Sequence, residues 1–170
     1  KILDSSQYGE AARELYANGR ALLERIIEEG TLHARGSYGF WPANADGDDL
    51  VLYSDEHRSE ELLRFNMLRQ QQERGVEGAY LSLADFVAPK ATGLADFVGA
   101  FAVTAGIGCQ ELVERFEAEH DDYHAIMTKA LADRLAEAFA EYLHAKARRD
   151  WGHEREGEFS NEELIAERFR

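Results

Sequence analysis

From Gln110 to Arg149 the sequence contains neither proline nor glycine. Across that stretch Leu112, Phe116, Tyr123, Ile126, Met127, Leu131, Leu135, Phe139 and Tyr142 form a stripe at helical spacing. Such steps put apolar side chains on one face of an α-helix. The pattern predicts a long helix over 110–149, or two helices joined near Asp121, and the rest of the fold must cover its apolar face. A second stripe (Ala12, Leu15, Tyr16, Leu22, Leu23, Ile26, Ile27) predicts an N-terminal helix within residues 1–30. Asp4, Ser5 or Ser6 is its expected start cap and Gly30 its expected end.

Between the two stripes the composition turns β-rich. Gly36–Trp41 and Asp49–Tyr53 flank a connection containing Asp46-Gly47, which predicts a hairpin over 36–53. Ser59–Arg74 fits either a helix or a strand followed by a helix. Phe97–Val103 is apolar on both alternating faces, which predicts a central strand over 95–104 covered on both sides. Gly99 within it would admit a close neighbour. Together these elements predict an α+β fold, an antiparallel twisted sheet with long covering helices. A chain of 170 residues buries roughly 70% of its unfolded surface. No repeat or low-complexity linker divides it, so it reads as one domain.

Charge narrows the partners. Lys and Arg number 19 against 33 Asp and Glu, a net charge of −14. Phosphate-backbone binding needs clustered cations, so nucleic acid is not an expected partner. No apolar run reaches the roughly 20 residues of a membrane-spanning helix, so neither is a membrane. Cys109 is the only cysteine, which excludes an intrachain disulfide and a four-cysteine zinc site. The expected setting is cytoplasmic and reducing.

Three constellations bear on chemistry. His120 and His124 stand four residues apart, the spacing by which one helical face offers two metal ligands. No third ligand can be placed beside them, and a solvated polar face or a helix cap explains the pair equally well. Asp133 and Glu137 lie on neighbouring turns of the long helix, with Arg134 and Glu141 close by. Pairing of Arg134 with Glu137 or Glu141 accounts for that spacing. No base can be assigned to Cys109, and no catalytic residue is assigned.

At the C-terminus, Ser160-Asn161-Glu162-Glu163 has the form of a capping box, opening a helix over 160–170. Leu164, Ile165 and Phe169 begin an apolar stripe that stops within about two turns, too short to stand without tertiary support. The chain is therefore expected to be a piece of something longer.

Several runs resemble one family. They are Arg35-Gly36…Gly39-Phe40-Trp41-Pro42-Ala43-Asn44…Gly47-Asp48-Asp49, Leu68-Arg69-Gln70-Gln71, Leu83–Lys90, Gly99–Thr104, Phe116–Tyr123 and Lys129–His144. In this order they resemble the C-terminal activation domain of cobalamin-dependent methionine synthase, over essentially the whole chain. The resemblance implies a share in methionine biosynthesis. A methyltransferase of that family passes a methyl group from methyltetrahydrofolate through cobalamin to homocysteine. Its activation domain binds S-adenosylmethionine and supports reductive remethylation of cob(II)alamin.

The resemblance also implies partners: the cobalamin-binding module of the same polypeptide, and flavodoxin or a flavoprotein reductase as electron donor. It implies roles for residues as well. Glu137 and Glu167 match family acids lining the S-adenosylmethionine site, and Asp133 would face the cobalamin module. The family's Arg-x-x-x-Gly-Tyr-Pro-Ala-Cys-Pro run falls beyond Arg170, and a ligand-holding aspartate falls before Lys1. Residues 1–170 alone are thus expected to bind the ligand poorly and to be inactive. A helical metal-binding protein using His120 and His124, or a domain that only docks flavodoxin or the cobalamin module, are the alternatives.

Overall fold

The computed structural model describes residues 2–72, 78–153 and 163. In chain order its main elements are helix α1 (Gly9–Glu29), strands β1 (His33–Asp46), β2 (Asp49–Tyr53), β3 (Glu61–Asn66) and β4 (Asp96–Ile107), and helices α2 (Cys109–Ala118) and α3 (Asp122–Trp151). The strands form one sheet in the order β3-β2-β1-β4, with β2 antiparallel to both β1 and β3. This is the α+β arrangement of sheet and helices expected from the sequence. Residue contacts divide the chain into two compact units, Lys1–Ser37 with Phe101–Arg170 and Tyr38–Ala100.

The first unit is built on helices. Leu22 and Ile26 of α1, Leu112, Val113 and Phe116 of α2, and Ala125 and Met127 of α3 form its buried cluster. Helix α1 ends where Gly30 turns left-handed (φ 61°), its N–H donating to the Ile26 carbonyl. That conformation has no Cβ penalty in glycine. At the other end Ser5 accepts from the amides of Gln7 and Tyr8, so it caps the turn before α1 rather than α1 itself.

Of the two readings of 110–149, one long helix or two joined near Asp121, the structure has the second. Helix α2 stops at Ala118, His120 takes a left-handed conformation (φ 57°), and the Asp121 amide donates back to the Phe116 carbonyl at 2.9 Å. Asp121 then caps α3, its carboxylate accepting from the His124 amide at 3.0 Å. The chain reverses here without glycine or proline because backbone bonds and a carboxylate cap satisfy both ends. The buried face of α3 also differs from the expected stripe. Ala125, Met127, Thr128, Ala132, Leu143, Ala145 and Ala147 are buried, whereas Tyr123, Ile126 and Tyr142 are exposed. Small side chains mark where this helix packs closely.

The second unit is built on the hairpin. Strand β1 continues through Pro42 to Asp46, further than the expected short run, and the turn shrinks to Gly47-Asp48 with Gly47 at φ 64°. Ala43, Ala45, Leu50 and Leu52 pack there with Ala84 and Val87. The ambiguous segment after Ser59 forms strand β3, because Leu63 and Phe65 pair with Leu52 and Leu50. Cross-strand pairing decides between two local readings of that segment. Asn44, buried, donates to the carbonyls of Ala88 and Leu94 and accepts from Arg58 Nε at 3.0 Å, tying the Ala88–Leu94 loop to β1.

Strand β4 corrects another expectation. It occupies the outer position in the strand order, and most of its residues are exposed rather than covered on both sides. Gly99 does admit a close neighbour: a Cβ there would lie 3.1 Å from the Phe40 ring. The expected capping box at Ser160 and the helix over 160–170, including Glu167, lie outside the described residues. Among the described residues no helix is long and apolar enough to cross a membrane.

Candidate functional site

Helix α3 carries two of the expected site residues, Asp133 and Glu137, and its N-terminal cap fixes its start. His124 Nδ1 lies 2.7 Å from Asp121 Oδ2, and the His124 ring stacks on Phe116 at 5.2 Å between centroids. One turn later Thr128, fully buried, donates its hydroxyl to the His124 carbonyl at 2.7 Å. The His124 amide, and then its ring, hold the Asp121 carboxyl below the usual carboxylate range. His124 is therefore a capping and packing residue. His120 stands in the reversal before α3 rather than on the same helix. The two-histidine helical face expected of a metal site does not exist, since helix geometry stops between the two residues. Among the described residues no group of three or more His, Cys, Asp or Glu is placed to hold a metal ion.

Three turns into α3, Asp133 and Glu137 share one exposed face and are joined by Arg134. The guanidinium places Nη2 2.8 Å from Asp133 Oδ2 and Nη1 2.8 Å from Glu137 Oε2. Its pKa is raised, first by the hydrogen bond to Asp133 and then by the charge of Glu137. Here the sequence expectation of an Arg134–Glu137 pair and the grouping of both acids coincide. All three side chains are more than 60% exposed, so as an ion pair the cluster stabilises the helix little. Two carboxylates one turn apart, held around a planar cation, form a place where positive charge is already accommodated.

Two apolar clefts border this stretch of α3. One of about 410 Å³ is lined by Leu15 and Gly19 of α1 with Tyr123, Ile126, Met127, Ala130, Leu131 and Arg134 of α3. At its edge Asn18 Nδ2 donates to the Tyr123 hydroxyl at 3.1 Å. The other, of about 570 Å³, includes Ile26, Ile27, Leu32 and His33 with Leu135, Ala138 and Phe139. Arg134 lines the first cleft, whereas Asp133 and Glu137 line neither. Gly36 explains how close the strand comes here, because a Cβ would meet the Phe139 and Leu143 side chains at 3.0 Å. Sequence reasoning did not reveal the clefts, since each needs residues from α1 and α3 more than a hundred positions apart.

A family model described as "Vitamin B12 dependent methionine synthase, activation domain" matches residues 1–170. The chain belongs to this family. A crystal structure of the MetH reactivation domain bound to AdoHcy superposes with a TM-score of 0.91 at 49% sequence identity. The match covers 98% of this chain and 51% of that one, so the chain spans about half the length of the solved domain. The α+β fold described above is thus the methionine synthase activation-domain fold. Asp133, Arg134 and Glu137 sit on its α3 helix, and Glu167 lies outside the described residues.

Proposed function

We propose that this chain forms part of an S-adenosylmethionine-binding surface in a cobalamin-dependent methionine synthase, acting in reductive remethylation of cob(II)alamin. The family match across residues 1–170 carries this reading. A solved relative that is 49% identical, holding AdoHcy, supports it, because AdoHcy is what S-adenosylmethionine becomes when it gives up its methyl group. When bound, S-adenosylmethionine supplies an electrophilic methyl and cobalamin, after one-electron reduction, supplies the nucleophilic cobalt. A flavodoxin or flavoprotein reductase is the proposed electron donor. The cobalamin-binding module of the same polypeptide is the proposed partner, and the cytoplasm the proposed setting.

The residues present suit such a ligand. S-adenosylmethionine is cationic at its ammonium and its sulfonium, and charge-assisted hydrogen bonds to carboxylates are the matching contacts. Arg134 already places a cation between Asp133 and Glu137 at 2.8 Å from each. We assign Glu137, with Glu167, to the ligand's positive groups, and Asp133 to the side facing the cobalamin module. The work of these side chains is positioning: the methyl must be held in line with its acceptor and water kept away.

The test is calorimetry on methionine synthase carrying this sequence. The reading expects AdoHcy and S-adenosylmethionine to bind and Glu137→Gln to weaken both. Absence of binding by the full-length protein would overturn it. The chain of residues 1–170 alone is proposed to bind more weakly than the full-length protein, since it spans half of the solved domain.

A further inference from the structure

Arg134 stands where a cationic ligand would. On helix α3 it follows Asp133 directly and precedes Glu137 by about one turn. Its guanidinium reaches both acids, with Nη2 2.8 Å from Asp133 Oδ2 and Nη1 2.8 Å from Glu137 Oε2. Both ends of the planar fork are thus engaged with carboxylates. The lysines of α3 are held elsewhere, Lys129 by Glu117 and Lys146 by Asp150. All three side chains of the Arg134 cluster are exposed, and exposed ion pairs are worth little, so the guanidinium is displaced at small cost. It also has somewhere to go. Arg134 lines the apolar cleft between α1 and α3 with Leu15, Gly19, Ile126 and Ala130, along which its methylenes can lie while the charged head stays in water. Gly19 keeps that cleft open, since a Cβ there would meet nothing within 4 Å.

We propose that Arg134 is an internal counter-ion that S-adenosylmethionine must displace from Glu137, and that it thereby lowers the affinity of the domain for this ligand. The role rests on the assignment of Glu137 to the ligand's positive groups. A second cation approaching that carboxylate meets a lone pair already filled and the charge of the guanidinium beside it. The opposite role, holding the ligand's own carboxylate, suits Arg134 less, because both ends of its fork are already bound to acids. Arg134 acts through Glu137 and is a positioning residue rather than a catalytic one.

Calorimetry of S-adenosylmethionine into full-length methionine synthase carrying this sequence, as Arg134→Gln, Glu137→Gln and the double variant, closes a cycle that tests the role. Arg134→Gln is expected to tighten binding about two- to fivefold, the change that matches release from one exposed ion pair. In the Glu137→Gln background the same substitution is expected to change nothing. Loss of a merely structural contact does not tighten binding. Unchanged affinity in Arg134→Gln overturns the proposal, and weaker affinity overturns it by giving the guanidinium to the ligand's carboxylate. A gain that persists undiminished in the Glu137→Gln background overturns it too, as a general effect of charge. An unchanged affinity in Glu137→Gln alone overturns the ligand assignment itself, and the role of Arg134 with it. Weaker binding in Glu137→Gln without a gain in Arg134→Gln overturns only the role given to Arg134.

Discussion

Asp121 Oδ2 lies 2.7 Å from His124 Nδ1 while Asp121 Oδ1 accepts from the His124 amide at 3.0 Å. One carboxylate thus caps the longest helix and fixes the ring that stacks on Phe116. Asp121→Ala removes both contacts and is expected to lower the melting temperature by about 2–4 °C, the usual consequence of losing an N-cap in a chain of this size. Asp121→Asn keeps an acceptor and should lose less. Thermal unfolding followed by circular dichroism checks both.

The same geometry argues against a metal at this place. His124 is engaged with Asp121 and His120 is outside α3. Zinc titration should show no sub-micromolar binding that His120→Ala removes. A site lost in that variant would reinstate the metal-binding reading.

Carboxylates in both units are held below their ordinary range: Asp49 by Asn66, Asp85 by Arg69, and Asp121 by the His124 amide. A depressed folded-state pKa contributes stability that is present above the unfolded value and lost as pH falls through the folded value. Stability should therefore hold above about pH 4 and decline progressively below it. Equilibrium unfolding in urea between pH 6 and pH 2 measures this, and a decline beginning near neutral pH would contradict it.

Helix α2 is preceded by a glycine whose backbone leaves no room for a side chain. Gly108 has φ 89°, and a Cβ there would come 2.2 Å from the Thr31 carbonyl oxygen. Gly108→Ala is expected to destabilise by on the order of 2 kcal/mol or more, from strain at positive φ together with the clash. In the other unit, Asn44→Ala would leave the Ala88 and Leu94 carbonyls and Arg58 Nε without that partner. About 2–4 kcal/mol is expected there. Urea titration of each variant reads these losses.

Local chemistry made some features legible in the sequence. Gly30 and Gly47 mark a helix end and a tight turn because both need positive φ, and the stripes of α1 and α3 follow helical period. The break at His120 was less legible, since no glycine or proline marks it and the Asp121 cap does so only weakly. Strand β3 was ambiguous because Leu62, Leu63 and Leu68 suit a helix until Leu50 and Leu52 present an edge to pair with. Strand β4 read as interior from its side chains, which report composition and not position in the strand order. For the site, the Arg134–Glu137 pair follows from spacing, whereas the clefts beside it depend on α1 packing across α3.

Glu137 is proposed to face the positive groups of the ligand. Titration calorimetry of S-adenosylmethionine into full-length methionine synthase carrying this sequence, with and without Glu137→Gln, tests it most directly. Neutralising one carboxylate at nearly constant shape removes a charge-assisted hydrogen bond of roughly 1.5–3 kcal/mol, so affinity should fall about ten- to a hundredfold. An affinity unchanged by Glu137→Gln would contradict the claim and leave Glu137 as the helix partner of Arg134 alone.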